Sequence, residues 1–366
     1  MDLKHLLDVL KNPPPLKQAA ILPDFFLDHF LIAGSFEEFI DRLRTMAHQG
    51  GGNLMGTTQF IRRGGNSANV ASAIHSLGVT PRLIVTTDTY GKRLLESLLD
   101  PGVSLENVHE DGALSSTVSI EVEHEGRRVN LMVSDSGSAA HFTFDDLTEK
   151  DLQAISECGL VVLENLNHNS EAVSLARDLF EYVRSKGDAL TFMDTGDPSN
   201  DPAKIIQLAK EVVSDGYVDV LGLNENESAW FAWAITGKDA KWRDTVKDPQ
   251  KWLSTAQFIA AELGVQIDLH TPHFSASIKD DNVVSVPSFF VESRILCGAG
   301  DAWSAGDIFG LLANQDTKDR LILANAVAAL YVSTGTGEHA SREDVLSFLE
   351  GKSSLSTAST KLLKLK

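Results

Sequence analysis

The segment with the clearest chemistry is Gly298-Ala299-Gly300-Asp301, small residues that lead directly into a predicted helix. Glycines let backbone N–H groups approach a ligand closely, and the unpaired N–H groups at a helix N-terminus favour an anion. A carboxylate repels an anion, so Asp301 fits if it meets an incoming hydroxyl while the helix end holds a phosphate. That is the layout of phosphoryl transfer. The alternative is an Asp that only caps a helix after a glycine turn, and this segment alone does not decide between them.

A second glycine-rich segment, Gly64-Gly65-Asn66-Ser67-Ala68-Asn69, opens another predicted helix. Asn66 and Asn69 lie one turn apart on one helix face, where both can reach a polar ligand. Asn66 acting only as an N-cap explains the same pattern without a ligand. Arg62 and Arg63 precede the glycines and are candidates to bind an anionic substrate.

Polar side chains follow four short apolar runs that we predict to be strands. The runs are residues 160–163, 189–193, 218–221 and 265–269, and the polar residues that follow them are Asn165, Asp194, Asn224 and His270-Thr271. Predicted helices alternate with these strands. This pattern indicates an α/β fold with a doubly wound, mostly parallel sheet flanked by helices. Ligands of such sheets bind beyond the strand C-termini, so we predict a single cleft there.

A different pattern predicts a small second sheet. Residues 115–133 alternate polar and apolar side chains about a turn at Glu125-Gly126, which is typical of an antiparallel hairpin. Together with a strand near 54–61, it predicts a β-sheet lid built from about residues 50–62 and 113–134. Residues 19–32 are mostly apolar and predict one buried strand, within which Asp28 is a candidate to bind substrate hydroxyls and Asp24 is left open.

Composition narrows the class of protein. The chain has 32 Lys and Arg against 51 Asp and Glu, a net charge of −19, which argues against non-specific nucleic-acid binding. We predict a protein with no membrane span, and its two distant cysteines suit the reducing cytoplasm. Residues 1–18 are interpreted as an N-terminal extension, 19–350 as the main domain and 351–366 as a flexible C-terminal tail.

The ordered motifs resemble the ribokinase/PfkB family of sugar and nucleoside kinases over roughly residues 19–350. Residues 64–69 resemble its N-terminal Gly-Gly-x-x-x-Asn signature, and 224–227 match its Asn-x-x-Glu motif. Gly298-Ala299-Gly300-Asp301 matches the C-terminal signature. Each motif is weak to moderate alone, but together, in this order and spacing, they are specific.

The resemblance implies a kinase that transfers the γ-phosphate of ATP to a hydroxyl of a small sugar, sugar phosphate or nucleoside. Asp301 would be the base, and the N–H groups of Gly298, Ala299 and Gly300 would form an anion hole. The remaining predicted assignments fall into three groups. Substrate contacts are Asp28, Arg62, Arg63, Gly64, Gly65, Asn66 and Asn69; nucleotide contacts are Asn224, Thr271, Asn325 and Gly335; Mg²⁺ contacts are Asp194, Asn224 and Glu227. The lid would close over the substrate and is a candidate interface for a homodimer.

Two departures from the family pattern lie where the phosphoryl-donor nucleotide would bind. Ile295 and Leu296 stand where the family usually has Asp-Thr, and the strand ending at His270-Thr271-Pro272 lacks the usual phosphate-lining glycines. A His-Thr pair at this strand end resembles the ADP-dependent sugar kinases of the same fold, so ADP is an alternative donor. A non-catalytic ligand-binding relative is the second alternative.

Overall fold

The computed structural model describes residues 3–334 and 336–351. Its strands and helices follow one another along the chain with short connections. The strands are β1 (Ala19–Leu22), β2 (Phe26–Ser35), β3 (Thr58–Gly64), β4 (Pro81–Leu83), β5 (Val85–Thr86), β6 (Val108–His109), β7 (Ser115–His124), β8 (Arg127–Asp135), β9 (Leu160–Leu163), β10 (Leu190–Asp194), β11 (Val220–Asn224), β12 (Gln266–His270), β13 (Phe274–Lys279) and β14 (Asn282–Pro287). The helices are α1 (Lys4–Lys11), α2 (Phe36–His48), α3 (Asn66–Ser76), α4 (Thr89–Leu98), α5 (Glu149–Glu157), α6 (Ala172–Lys186), α7 (Pro202–Leu208), α8 (Glu225–Ile235), α9 (Pro249–Leu263), α10 (Ala299–Leu312), α11 (Thr317–Thr334) and α12 (Arg342–Leu349).

The main sheet confirms the predicted fold class. Among the described residues its strand order is β14-β13-β12-β11-β10-β9-β1-β4. The strands from β12 to β4 run parallel, and β13 and β14 extend the sheet as an antiparallel edge. The C-terminal ends of β1 and β9 to β12 therefore meet along one edge, as the polar residues after the apolar runs predicted.

Both faces of this sheet are covered by helices, which explains why β1 and β9 are wholly apolar. Ile21 of β1 belongs to the core cluster that includes α3, α10 and α11, whereas its neighbour Leu22 belongs to the cluster on the α6, α8 and α9 side. Both side chains are 0% exposed. Burying a side chain of this size contributes about 1.5–3 kcal/mol, so the strands that carry the cleft are held firmly.

The second sheet has the order β3-β2-β7-β8 and includes a strand that the sequence interpretation lacked. Residues 19–32 were predicted as one buried strand, which is wrong: β1 ends at Leu22, and β2 belongs to the lid sheet. The break falls at Pro23, which has no backbone N–H for a sheet ladder. The apolar character continues across the break, so the sequence pattern did not reveal it.

The N-terminal helix α1 joins the main domain. Within the predicted N-terminal extension, α1 packs against α11 and α12 through Leu6 and Leu10, which are 0% and 2% exposed. The predicted C-terminal tail lies outside the described residues apart from Gly351. None of the helices in the described ranges is long and apolar enough to cross a bilayer.

Candidate active site

A cleft of about 330 Å³ lies between the C-terminal edge of the main sheet and the lid. It brings together residues that are far apart in the sequence. The predicted site residues that line it are Asp28, Gly65, Asn66, Asn69, Asp194, Asn224, Glu227, Gly298, Gly300 and Asp301.

The turn before α10 has the geometry of an anion site. Gly298 has φ +86°, and a side chain there would collide with the Tyr331 hydroxyl. The Ala299 N–H already donates to the Leu296 carbonyl at 3.1 Å, so it is not available as the predicted anion-hole donor. The N–H groups of Gly298 and Gly300 make no such bond within the described chain. The N–H groups of these two glycines are therefore the ones in the turn that remain able to bind a ligand.

Asp301 lies on the first turn of α10 and is 7% exposed. Asn69 Nδ2 donates to its Oδ2 at 2.7 Å. Burial raises the pKa of Asp301 to about 7; the Asn69 hydrogen bond opposes this and the charges of Asp194 and Asp24 add to it. A carboxylate with a pKa near neutrality is suited to accept a proton at physiological pH.

The second glycine segment is held in place by Asp24. The N–H groups of Asn66 and Ser67 donate to the Asp24 carboxylate at 3.1 and 2.8 Å, and Asn165 Nδ2 donates to it at 2.7 Å. Gly65, with φ +84°, is the N-cap residue of α3. Asn66 is thus not the cap, and its side chain lines the cleft. Asp24 is structural at this position.

Asp28 enters the cleft from the lid. It lies on the same face of the lid sheet as Phe26 and Thr117, which also line the cleft. A side chain on Gly64 would collide with the Asp28 carboxylate, so the role of Gly64 is to make room for Asp28. Burial, followed by the charge of Asp24, raises the pKa of Asp28 to about 7.

Acidic groups also gather at the ends of β10 and β11. Glu227 accepts hydrogen bonds from the Asn224 N–H at 2.8 Å and from Asn224 Nδ2 at 2.9 Å, which forms a capping box at the start of α8. Burial, followed by the charge of Asp194, raises the pKa of Glu227 well above its ordinary value. Burial raises the pKa of Asp194 itself to about 6. Buried carboxylates that repel one another form a donor set that suits a hard divalent cation.

Glu164 is a buried carboxylate that the sequence interpretation missed. It follows β9 directly, is 1% exposed, and its Oε1 has no hydrogen-bond partner among the described residues. Burial, followed by the charges of Asp194 and Asp301, raises its pKa well above the ordinary value. Its position after an apolar run is the same signal that singled out its neighbour Asn165.

Neither Arg62 nor Arg63 is among the residues that line the cleft, although Arg62, opposite Asp28, shares the cleft face of the lid sheet. The Arg62 guanidinium lies 4.7 Å from the centre of the Phe60 ring. Arg63 donates to Asn69 Oδ1 and to the Leu98 carbonyl, both at 3.0 Å. Arg127, beside the hairpin turn of the lid, is exposed.

The predicted nucleotide contacts are only partly brought together. Thr271 closes a turn by donating to the Phe274 carbonyl at 2.6 Å, and Asn325 accepts from Trp303 Nε1 at 2.9 Å; neither lines the cleft. Gly335 lies outside the described residues. His270 does line the cleft, with its ring stacked 5.0 Å from that of Trp303, and burial lowers its pKa to about 4.

Further cleft residues come from the lid and from the main-sheet loops. They are Phe26, Thr117, Met132, Ser134, Asn165, His168, Gly196, Asp197, His270 and Cys297. Thr117 and Ser134 are cross-strand neighbours and share a hydrogen bond of 2.9 Å. Alternation along the hairpin could have identified these two from the sequence, because every second side chain faces the cleft.

The model of the pfkB family of carbohydrate kinases matches residues 42–343. The chain therefore belongs to this family of phosphotransferases, which act on a hydroxyl group. The resemblance drawn from the sequence motifs is thereby confirmed. No curated protein gives a significant sequence match.

Solved structures agree with this assignment at the level of the fold. The chain is similar to ribokinase of Arabidopsis thaliana complexed with ribose and ATP, with TM-score 0.68, 16% identity, and coverage of 92% of this chain and 99% of that one. It is similar to ribokinase of Cryptococcus neoformans in complex with ADP, with TM-score 0.69, 16% identity, and coverage of 91% and 99%. It is also similar to fructokinase of Xylella fastidiosa with bound ATP, with TM-score 0.66, 16% identity, and coverage of 92% and 99%.

Proposed function

We propose that this carbohydrate kinase transfers the γ-phosphate of ATP to a hydroxyl of a small sugar or nucleoside. One observation carries the proposal: Asp301 lies on the first turn of α10, immediately after the Gly298 turn, in a cleft that also contains Asp28. An acceptor hydroxyl bound by Asp28 and Asn66 would meet Asp301 on one side. The phosphoryl group would meet the start of α10 on the other.

Asp301 acts as the base in this proposal. Its Oδ2 is held by Asn69, which leaves Oδ1 to take the proton of the acceptor hydroxyl. The hydroxyl oxygen attacks the γ-phosphorus in line with the departing oxygen of the nucleotide. N–H groups of Gly298 and Gly300 stabilise the negative charge on the transferred group. The lid excludes water, which would otherwise compete as the acceptor.

Mg²⁺ fits the carboxylates at the ends of β10 and β11. Asp194 and Glu227 are 6% and 4% exposed, and no cationic side chain lines the cleft beside them within the described residues. They would hold the ion, and Asn224, whose Oδ1 already accepts two backbone N–H groups, would orient Glu227. When bound, Mg²⁺ offsets negative charge on the donor phosphates.

The acceptor in this proposal carries no phosphate. Five carboxylates line the cleft, whereas Lys and Arg are absent from the lining that the described residues form. A phosphorylated sugar would meet repulsion from these carboxylates, which Arg62 on the cleft face of the lid would have to offset. Among the acceptors considered from the sequence, an unphosphorylated sugar or nucleoside is therefore favoured over a sugar phosphate.

ATP is the proposed donor, and ADP is the competing one. Two of the similar structures contain ATP and one contains ADP, according to their descriptions. His270 and Thr271 at the end of β12 are the residues that favour ADP.

A donor-by-acceptor activity matrix tests the proposal. ATP and ADP are each combined with Mg²⁺ and a panel of neutral sugars, nucleosides and their monophosphates. We expect transfer from ATP to an unphosphorylated acceptor. Transfer only from ADP, or only to a phosphorylated acceptor, contradicts the proposal.

The outer face of the lid is proposed as a homodimer interface. Ile61, Val118 and Val133 lie in one row across the sheet with His29 of β2, and the three apolar residues are 50%, 39% and 63% exposed. A row of exposed apolar side chains on a sheet favours association with a second copy. Cys158 and Cys297 are free thiols, in keeping with the proposed cytoplasmic location.

A further inference from the structure

Arg63 and Arg62 are adjacent in β3 but point to opposite faces of the lid sheet. Arg62 pairs across the strands with Asp28, so the two share the cleft face. Neighbouring residues of a strand alternate between faces, so Arg63 is directed away from the cleft, towards α3 and the segment that precedes α12. Arg63, which was predicted to bind substrate, thus points away from the cleft.

All three guanidinium nitrogens of Arg63 have partners. Nε donates to Asn69 Oδ1 at 3.0 Å, Nη1 donates to the Leu98 carbonyl at 3.0 Å, and Nη2 lies 3.3 Å from His339 Nδ1. Because arginine has no acceptor, His339 Nδ1 must accept. Burial, followed by the positive charge of Arg63, holds the pKa of His339 well below its ordinary value, so the ring is neutral.

The partners of Arg63 within the described chain are therefore an amide, a carbonyl and a neutral imidazole, and none is an anion. Removing a cation from water without a nearby negative charge is costly. The charges that favour the ionised guanidinium are those of Tyr331 and Asp301. Tyr331 is neutral at physiological pH because burial, followed by the charge of Asp301, raises the pKa of its phenol. Asp301 is therefore the counter-charge, and Asn69 joins it to Arg63.

Asn69 can donate a hydrogen bond to Asp301 only in one orientation of its amide. Its Oδ1 accepts from Arg63, so its Nδ2 is presented to Asp301 Oδ2 at 2.7 Å. With the amide reversed, an NH₂ group would face the guanidinium and a carbonyl oxygen would face the carboxylate, and both hydrogen bonds would be lost. We propose that Arg63 is a positioning residue that fixes the Asn69 amide and thereby holds Asp301 aligned for the acceptor hydroxyl. This inference rests on the proposed role of Asp301 as the base.

Several other groups act on the same carboxylate. The charged residues that face Asp301 from the surrounding elements are Asp24, Glu164 and Asp194, at the ends of β1, β9 and β10, and Arg63 in β3. Cys297 and Tyr331 titrate well above neutral pH. Arg63 is thus the one cation of this set that faces the carboxylate within the described structure.

The test uses the full-length protein with Arg63→Met and Arg63→Lys. We expect Arg63→Met to lower kcat about 100-fold, since a misaligned base is costly. We also expect the acid limb of its pH profile to move up by about one unit, because the opposing charge is lost. Arg63→Lys keeps the charge but cannot hold three partners, so kcat falls while the acid limb stays in place. Arg82→Met is the matched control; Arg82 bonds Gln18 at 2.7 Å away from the cleft.

A double-mutant cycle with Asn69→Leu distinguishes two cases. In the first, a relay, Arg63 acts on Asp301 through Asn69; in the second, Arg63 and Asn69 act independently. If Arg63 acts through Asn69, the double variant is no slower than the slower single variant. Losses that multiply, or an unmoved acid limb in Arg63→Met, overturn the inference. If Arg63→Met does not fold, Arg63→Lys alone decides: reduced kcat with an unmoved limb supports the relay, and an unchanged kcat overturns it.

A readout that does not depend on activity separates this inference from the proposed function. The Asp301 carboxyl is titrated by ¹³C NMR without nucleotide or metal, and its resonance is assigned from the spectrum of Asp301→Asn. We expect a higher pKa in Arg63→Met than in the wild type or Arg63→Lys. Equal values in all three proteins overturn the relay, even if no kinase activity is found.

Discussion

Replacing Asp301 by Asn should abolish turnover and at the same time stabilise the protein without ligands. The pKa of the buried carboxyl is raised from 3.8 to about 7. An unfolded chain ionises this group near pH 4, whereas the folded chain keeps the proton until about pH 7. The stability that the protonated Asp301 carboxyl contributes is therefore complete below pH 4 and is lost as the pH rises through 7.

The size of the effect follows from the shift. At about 1.4 kcal/mol per pKa unit, ionising Asp301 in the folded protein costs roughly 4 kcal/mol at pH 8. Asparagine has no charge to bury, and its side-chain oxygen still accepts the Asn69 hydrogen bond. We therefore expect the free energy of unfolding of Asp301→Asn to exceed that of the wild type by a few kcal/mol at pH 8. At pH 4 the difference should vanish.

Urea unfolding at pH 4, 6 and 8, without Mg²⁺ or nucleotide, measures this difference. Turnover of the same variant should fall by roughly 10²–10⁴, the range for loss of a catalytic base. Asp281→Asn, in the exposed β13–β14 turn, is the control for removing a negative charge from the surface. An Asp301→Asn protein that is less stable than the wild type at pH 8, or that keeps full turnover, refutes the reasoning.

Three further predictions concern the metal site, the core and the lid. Glu227→Gln should weaken Mg²⁺ binding at least about tenfold by calorimetry, and unchanged affinity would exclude Glu227 as a ligand. Arg320→Met should lower the free energy of unfolding, measured with urea at neutral pH, by about 3–5 kcal/mol. The reason is that Asp268 and Asp307, both 0% exposed, lose the cation that they share. A loss below 1 kcal/mol would contradict this prediction. Val133→Asp should convert a dimer of twice 39.7 kDa into a monomer, and light scattering measures this change of mass. A wild type that is already monomeric at micromolar concentration would contradict the lid interface.

The main sheet could be predicted because its strands carry one unambiguous pattern. Apolar runs of four or five residues, buried on both faces, are each followed by a polar side chain, and helices separate them. The prediction for residues 160–163 coincides with β9. Since parallel strands deliver their ends to one edge, the shared cleft followed from the pattern.

The lid could be predicted only in part because its first strand continues an apolar run. The residues on either side of Pro23 are similar in character, although β1 and β2 belong to different sheets. Without β2, the sequence could not show that Asp28 shares a face with Thr117 and Ser134.

The two arginines show what sequence spacing cannot resolve. In a strand, a shift of one residue in register exchanges the two faces, and the sequence of β3 does not fix its register against β2. The structure puts Arg62 on the cleft face and turns Arg63 towards Asn69.

Transfer of labelled γ-phosphate from ATP to an unphosphorylated sugar or nucleoside tests the central claim most directly. The wild type and Asp301→Asn are assayed side by side with Mg²⁺, and ATP binding is measured separately for both. We predict a labelled phosphate ester with the wild type, at least 10² less with Asp301→Asn, and similar ATP affinity in the two proteins. Equal transfer by both proteins, or no transfer to any neutral acceptor while ATP still binds, would contradict the account.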